Sequence, residues 1–212
     1  MSLADLRTEY QLRGLSENDL AADPIEQFGT WFDQALAAGV KEPNAMALAT
    51  VAANGRPSVR MVLLKGFDAT GFVFYTNYES RKGRELSANP WAAIAIHWVD
   101  LERQIRIEGR VERVSAEQSA AYFHSRPVAS QLSAAASHQS EVIPNRMVLE
   151  KRVADLEAQF AAMLVPLPAE WGGYRLAPSV VEFWQGRPSR LHDRLRFRRG
   201  VDDAWVVERL AP

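Results

Sequence analysis

The sequence predicts a mainly β fold, a small antiparallel barrel with helices packed at its periphery. Three observations carry this reading. Short runs rich in β-branched and aromatic residues are joined by tight turn signals such as Asn54-Gly55, which favour hairpins. Helical patterns are inserted between groups of strands instead of alternating with them, and no G-x-G-x-x-G opens a helix, so a doubly wound parallel sheet is not expected. About seven or eight antiparallel strands in one domain usually close into a barrel, because closure removes exposed edges.

The elements follow in order. Leu6 to Leu20 is polar and reads as an arm or short helix. A helix then begins with Asp23 as N-cap, Pro24 at the first helical position and Glu26 at N3, and Ile25, Phe28, Phe32 and Leu36 recur at helical spacing. Strands are expected at Met46–Ala52, Pro57–Phe67 and Phe72–Thr76, then a short helix capped by Ser80. Trp91–Val99 and Gln104–Val114 are the next strands, with a turn at Asp100–Arg103 between them. Ser115 and Gln118 open a helix that Pro127 ends near Arg126. A second helix is expected within Val128–Gln139 and a third over Leu149–Leu164. Val180–Gln185, Arg190–Arg198 and Trp205–Leu210 complete the strands.

Composition narrows the function classes. The 212 residues are 47% hydrophobic and 24% charged, with no cysteine. Disulfides, thiolate metal sites and cysteine nucleophiles are therefore absent, and a cytoplasmic location is the default expectation. No apolar run approaches the roughly 20 residues of a membrane span, and the first residues lack the apolar segment of a signal peptide. The net charge of −1 provides no bulk attraction for nucleic acid or anionic membrane. Of the 25 basic residues only Lys41, Lys65, Lys82 and Lys151 are lysines. Arginine's planar fork suits phosphate and carboxylate, so the arginine positions merit inspection.

Four groupings carry possible chemistry. Arg60 and Lys65 bracket Met61, Val62, Leu63 and Leu64. On a regular strand they would lie roughly 16 Å apart on opposite faces, unable to grip one phosphate. Tyr75-Thr76 followed by Ser80, Arg81 and Lys82 sets hydroxyls and two cations at a helix N-terminus, an anion-binding arrangement. Tyr122, Arg126 and Ser130 are four apart; the first two share a helix face, whereas Ser130 lies beyond Pro127. Arg190, His192 and Arg194 alternate on an expected strand and so project from one face, with Trp184 as an aromatic wall beside them. In the absence of an anionic ligand, the flanking cations are expected to favour the neutral form of His192. His97, His124 and His138 have no metal-site spacing, and no metal is expected.

Taken in order, Arg60 to Lys65, Tyr75-Thr76, Arg81-Lys82, Glu102-Arg103-Gln104, Tyr122 to Pro127, Gln139-Ser140, Trp171-Gly172-Gly173, Phe183 to Gly186, Arg190 to Arg194 and the terminal Arg209-Leu210-Ala211-Pro212 resemble the pyridoxamine/pyridoxine 5′-phosphate oxidase family. The resemblance covers nearly the whole chain. It implies an FMN-binding split β-barrel homodimer with its flavin at the subunit interface, residues 1–22 forming an arm over the active site of a single domain at 23–212. By matching positions it implies FMN contacts at Arg60, Met61, Val62, Leu63, Leu64, Lys65, Tyr75, Thr76, Arg81, Lys82, Gln104, Gln139, Ser140, Trp184 and Arg194. It implies substrate contacts at Lys65, Tyr122, Arg126 and Ser130 for a phosphate, and at Arg190, Leu191 and His192 for the pyridine end. Arg190 and His192 are the expected catalytic pair, and Arg7 and Tyr10 belong to the arm. The implied reaction moves a hydride from the substrate C4′ to flavin N5, with dioxygen as acceptor, hydrogen peroxide as product, and ammonia released from the amine. Two rivals remain at this stage: a deazaflavin-dependent reductase on the same barrel, and a non-catalytic flavin- or pyridoxal-phosphate-binding protein.

Overall fold

The structure, a computed structural model, describes residues 2–6 and 9–212. Helix α1 (Pro24–Ala37) starts as its sequence predicts: the Asp23 carboxylate accepts the Ile25 N–H at 2.7 Å and Pro24 takes the first helical position. Its buried stripe is Ile25, Phe28, Trp31 and Ala35. Leu36, an expected core position, is 54% exposed, because the face rotates toward the i+3 partner of Phe28 and not along the i+4 line.

Strands β1 (Ala45–Val51) and β2 (Pro57–Leu63) form the expected hairpin, with Val51 opposite Pro57 and Gly55 at a φ of 80° in the turn. The second strand does not continue to Phe67. It breaks after Leu63: Leu64 turns into the core, its N–H and C=O both satisfied by Asn44. The chain resumes as β3 (Gly66–Asp68) and returns as β4 (Gly71–Asn77). Helix α2 (Arg81–Ala88) is capped by Ser80, whose hydroxyl accepts the Gly83 N–H.

Strands β5 (Trp91–Trp98) and β6 (Arg103–Arg113) lead to helices α3 (Ala116–Ser125), α4 (Val128–Ala136) and α5 (Arg146–Phe160). The third helix of that set begins at an Asn145 cap, earlier than its apolar spacing suggests, and Met163 lies beyond its end. It buries no residue fully; Leu156 and Phe160 lean on a small second core of Phe123, Leu132, Val165 and Trp171.

Strand β7 (Trp171–Gln185) is 15 residues long, more than twice its expected span. Gly172-Gly173 and Pro178 disguise its first half in the sequence. Pro178 stands beside the bulge at Glu108/Gly109, where a missing N–H costs the ladder little. Strands β8 (Asp193–Arg199) and β9 (Trp205–Arg209) follow. Arg190 is therefore not on a strand. It sits in a one-turn 3-10 helix, Pro188–Arg190, with Ser189 and Arg190 at φ 54° and 60°, and His192 precedes β8. The predicted alternation of Arg190, His192 and Arg194 on one strand face is thus corrected: a left-handed turn, not the pleat, aims the first two.

All pairings are antiparallel, in the order β2-β1-β5-β6-β7-β4-β3, with β8 on β7 and β9 on β8. The sheet does not close by hydrogen bonds, so the fold is a split barrel and not the fully closed one that edge removal favours. The two ends of that seven-strand path, β2 and β3, are linked through the Leu64-Lys65 crossing, where the Lys65 N–H donates to the Val73 carbonyl at 2.8 Å. Past Val73, β4 has strand partners on its β7 side alone among the described residues, and a gap opens toward β2. The long β7 carries two partners on one edge, β4 along Trp171–Leu176 and β8 along Val180–Gln185. That division sets the geometry of the site.

Candidate active site

The split between β2 and β4 holds a cavity of about 950 Å³, at the upper end of the ordinary range for small-ligand sites. Arg60, Met61, Val62, Leu63 and Lys65 form one wall, Tyr75 and Thr76 another. Arg81 and Lys82 of α2, Tyr122 and Arg126 around the end of α3, and Gln139-Ser140 complete it. Leu64 is buried in the core and does not line it. Because the strand breaks at Leu63, the parity argument that separates Arg60 from Lys65 does not apply, and both reach the same cavity. Arg60, Lys65, Arg81, Lys82 and Arg126 line it with no carboxylate among the described lining residues. In a chain of net charge −1, that concentration selects an anionic ligand.

Two cation sets can be distinguished. The first surrounds the N-terminus of α2. Arg60 donates to the Leu48 carbonyl, Thr50 and Ser58, and pairs with Glu85 at 3.2 Å. Arg81 pairs with Glu85 at 2.9 Å. Burial by itself would raise the Glu85 carboxyl, but hydrogen bonds from Ser58, Thr50, Arg81 and Arg60 outweigh it and hold the group at about 2. One buried carboxylate thus fixes two arginines that both face the cavity. Lys82 is buried, with Nζ 3.0 Å from Thr76 Oγ1 and 2.7 Å from Gln139 Oε1. Burial, with a smaller contribution from Arg60, lowers its ammonium to about 8. The Ser140 hydroxyl accepts the Arg81 N–H at 3.2 Å from a left-handed backbone, φ 74°.

The second set surrounds Arg126, the C-cap of α3. Its Nη2 donates to the Ser130 carbonyl at 2.9 Å, whereas Ser130, whose hydroxyl is the expected phosphate contact, is not among the residues that line the cavity. Its Nη1 is buried and has no hydrogen-bond partner among the described residues. Burial pushes the Arg126 guanidinium down from its ordinary value. A buried, unsatisfied donor costs about 1–3 kcal/mol, which an anion in the cavity would recover. Arg126 also lies 5.1 Å from the Trp171 ring. Tyr122 stacks on Tyr75 at 3.9 Å and 20°, and Tyr75 on Trp171 at 5.6 Å. Gly173 permits this stack: a Cβ there would meet the Tyr75 ring at 2.7 Å.

The remaining expected site residues form a separate group at the other end of β7. Trp184 is paired with Gln104 on β6 and Arg194 on β8. The Trp184 and His192 rings are 4.7 Å apart, and Tyr10 packs edge-on against both at 5.5 Å. His192 Nδ1 accepts the Arg187 N–H at 3.1 Å, so in the neutral ring the proton resides on Nε2. Arg194 is held by Glu182 at 2.8 Å and by the Ala211 carbonyl at 2.9 Å. Arg190 and Leu191 are exposed beside this group. Arg7 lies outside the described residues. Tyr75 pairs with Gly173, eleven residues before Trp184 on β7. That separation spans up to about 36 Å of strand.

Sequence reasoning overlooked the carboxylates that hold these cations. Glu85 stands four residues after Arg81, a legible helical pair. Glu182 had no local signal, since its partners Arg194 and Arg106 come from the strands on either side.

Comparison with known proteins agrees with this architecture. Residues 32–160 match the pyridoxamine 5′-phosphate oxidase family, and residues 171–212 match the pyridoxine 5′-phosphate oxidase C-terminal dimerisation region. The chain is 59% identical over 212 residues to the pyridoxine/pyridoxamine 5′-phosphate oxidase of Herminiimonas arsenicoxydans, covering 100% of both chains. Among solved structures it is similar to PhzG from Burkholderia lata 383 in complex with tetrahydrophenazine-1-carboxylic acid, at 34% identity and a TM-score of 0.90 over 97% of this chain and 100% of that one. It also shares its fold with a pyridoxamine 5′-phosphate oxidase-related, FMN-binding protein from Nostoc punctiforme PCC 73102, at 19% identity and a TM-score of 0.72, covering 91% and 100%. With both segments matched and a full-length relative at this identity, the chain is an enzyme of the pyridoxamine 5′-phosphate oxidase family.

Proposed function

We propose that the protein oxidises pyridoxamine 5′-phosphate or pyridoxine 5′-phosphate to pyridoxal 5′-phosphate, with FMN as cofactor and dioxygen as acceptor. The observation that carries this reading is the pair of distinct cation sets on one cavity, which suits two phosphorylated ligands side by side. The Arg60, Arg81 and Lys82 set, with Thr76, Gln139 and Ser140, would hold the FMN phosphate at the N-terminus of α2. The Lys65, Tyr122 and Arg126 set would hold the substrate phosphate, for which the unpartnered Arg126 Nη1 is a waiting donor.

The bound flavin would supply the redox chemistry, accepting a hydride from C4′ at N5 and passing the electrons to dioxygen to give hydrogen peroxide. The protein's share is positioning. Tyr75, Tyr122 and Trp171 give a flat, rigid wall beside the phosphate-binding arginine. His192 would present Nε2–H to the substrate as a donor, and Arg190 would orient the pyridine end. Water then completes the amine route, releasing ammonia from the oxidised carbon. Trp184 near the end of β7, and Arg190, His192 and Arg194 beyond it, are not among the residues that line the cavity of their own chain. This favours a homodimer in which each site takes its phosphate-binding half from one subunit and its His192 half from the other, consistent with the dimerisation region matched at 171–212. In this reading the described part of the segment 1–22 covers that second half.

The test is an aerobic assay of FMN-loaded protein with pyridoxine 5′-phosphate, following pyridoxal 5′-phosphate and peroxide together. Equimolar appearance of both is expected. Bound flavin with neither product would overturn the reading.

A further inference from the structure

We infer that Glu102, a residue with no role in the chemistry above, is the positioning residue that holds the N-terminal arm, and with it Tyr10, against the His192 end of the site. The inference rests on the substrate reading above and gives that site a further determinant of substrate affinity. Glu102 sits at the turn before β6 with a left-handed backbone, φ 52°. Its main chain is fastened to the end of β7: its carbonyl accepts the Gly186 N–H at 2.7 Å and the Gln185 side-chain amide at 3.1 Å. Its carboxylate points the other way, to the arm. One oxygen accepts the Gln11 N–H at 3.1 Å, and the other accepts the Gln11 and Leu12 N–H groups at 3.1 and 3.0 Å. Two successive main-chain donors on one carboxylate form a charge-assisted clasp.

The clasp lies directly after Tyr10, whose ring packs on Trp184 and His192. Gly186 makes this approach possible, since a Cβ there would meet the Tyr10 ring at 2.7 Å and the Glu102 side chain at 3.0 Å. Beyond the clasp, the arm is tied again where the Leu15 N–H donates to Asp193 at 3.0 Å and the Leu15 side chain enters the core. Glu102 thus secures the part of the arm that is otherwise exposed, between a buried anchor and the aromatic ring at the site. Without it, Tyr10 keeps its edge-on ring contacts and the longer contact next to it, in which the Glu9 carboxylate accepts the Ser189 N–H at 3.4 Å, but the chain between Tyr10 and Leu15 loses its tie.

The experiment compares Glu102→Ala and Glu102→Gln in the FMN-loaded full chain by amide hydrogen exchange and by kinetics with pyridoxine 5′-phosphate. Glu102→Ala is expected to abolish exchange protection at Gln11 and Leu12 and to speed tryptic cleavage after Arg13, with flavin content unchanged. Its KM should rise roughly tenfold to hundredfold, the range for hydrogen bonds to a charged group, with kcat within about twofold. Glu102→Gln, which keeps an acceptor oxygen, should recover most of the affinity. In a double-mutant cycle with Tyr10→Ala, the two KM effects should be strongly non-additive, because both act through the same ring. Unchanged exchange at Gln11 and Leu12, additive KM effects, or parallel loss of flavin and kcat would overturn the inference. If the wild-type chain does not oxidise this substrate, the proposed function fails, and the exchange and cleavage results still decide the role of Glu102.

Discussion

The buried carboxylate of Glu182 grips Arg194 through two contacts, Oε1 to Nε at 2.8 Å and Oε2 to Nη2 at 3.1 Å. The same carboxylate takes Arg106 at 3.3 Å, and the carbonyl of Ala211 takes the third arginine nitrogen. This holds the Arg194 guanidinium above its ordinary value and leaves it little freedom. Glu182→Gln should therefore release Arg194 while preserving the shape of β7. Fully buried pairs cost about 3–5 kcal/mol when one partner is lost, but both arginines are partly exposed, so about 1–2 kcal/mol is expected here. Thermal melts should show a Tm lower by roughly 2–8 °C. FMN titration by flavin fluorescence should show about tenfold weaker binding. An unchanged flavin affinity would separate Arg194 from the cofactor.

Lys82 should give the proposed flavin-phosphate site a pH dependence. Its ammonium titrates near 8 in the folded protein, below the ordinary lysine value of 10.5, because burial penalises the charged form. Between those values the unfolded chain binds more protons than the folded one. The stability of the ligand-free protein therefore rises with pH across that window, and the burial penalty is fully present below about 8. Binding runs the other way. A bound phosphate favours the ammonium, so FMN affinity should be greatest below about 8 and fall as pH rises through it, by up to about tenfold per unit. Equilibrium titrations from pH 7 to 10 check this, and Lys82→Met should flatten the profile.

His192 should act as a donor. Its Nδ1 is occupied by the Arg187 N–H, so only Nε2–H is available to a ligand. His192→Gln, which retains a donor at similar reach, should keep kcat/KM within about tenfold, whereas His192→Glu, an acceptor in place of that donor, should lose more, up to about hundredfold, the range for a lost hydrogen bond that leaves its partner unsatisfied. The reverse order would identify His192 as a general base. Nitrogen chemical shifts of the labelled imidazole report the tautomer independently of turnover.

Subunit complementation tests the shared site. Arg126→Ala removes the phosphate half and His192→Ala the opposite half. Each homodimer should be nearly inactive. Random pairing of the two chains makes about half the dimers mixed, each with one intact site of two, so about a quarter of wild-type activity should return. No recovery in verified mixed dimers would mean that one chain supplies the whole site.

Much of this was legible in the sequence because it depends on short-range physics. The Asp23 cap, the Asn54-Gly55 hairpin, the Ser80 and Ser115 caps and the Pro127 stop are each set by neighbours within four residues, and all appear as expected. The ordered motifs also determined the family. What the tertiary structure decided is long-range. The break after Leu63 brings Arg60 and Lys65 to one cavity because Asn44, twenty residues earlier, accepts and donates where a strand partner would have been. The first half of β7 exists because β4 and β6 pair with it despite two glycines and a proline. Glu85, Glu102 and Glu182 gain contacts from partners on other elements, and the two groups of candidate site residues lie toward opposite ends of one long strand. Local pattern specifies which elements form; only their pairing specifies which charges meet.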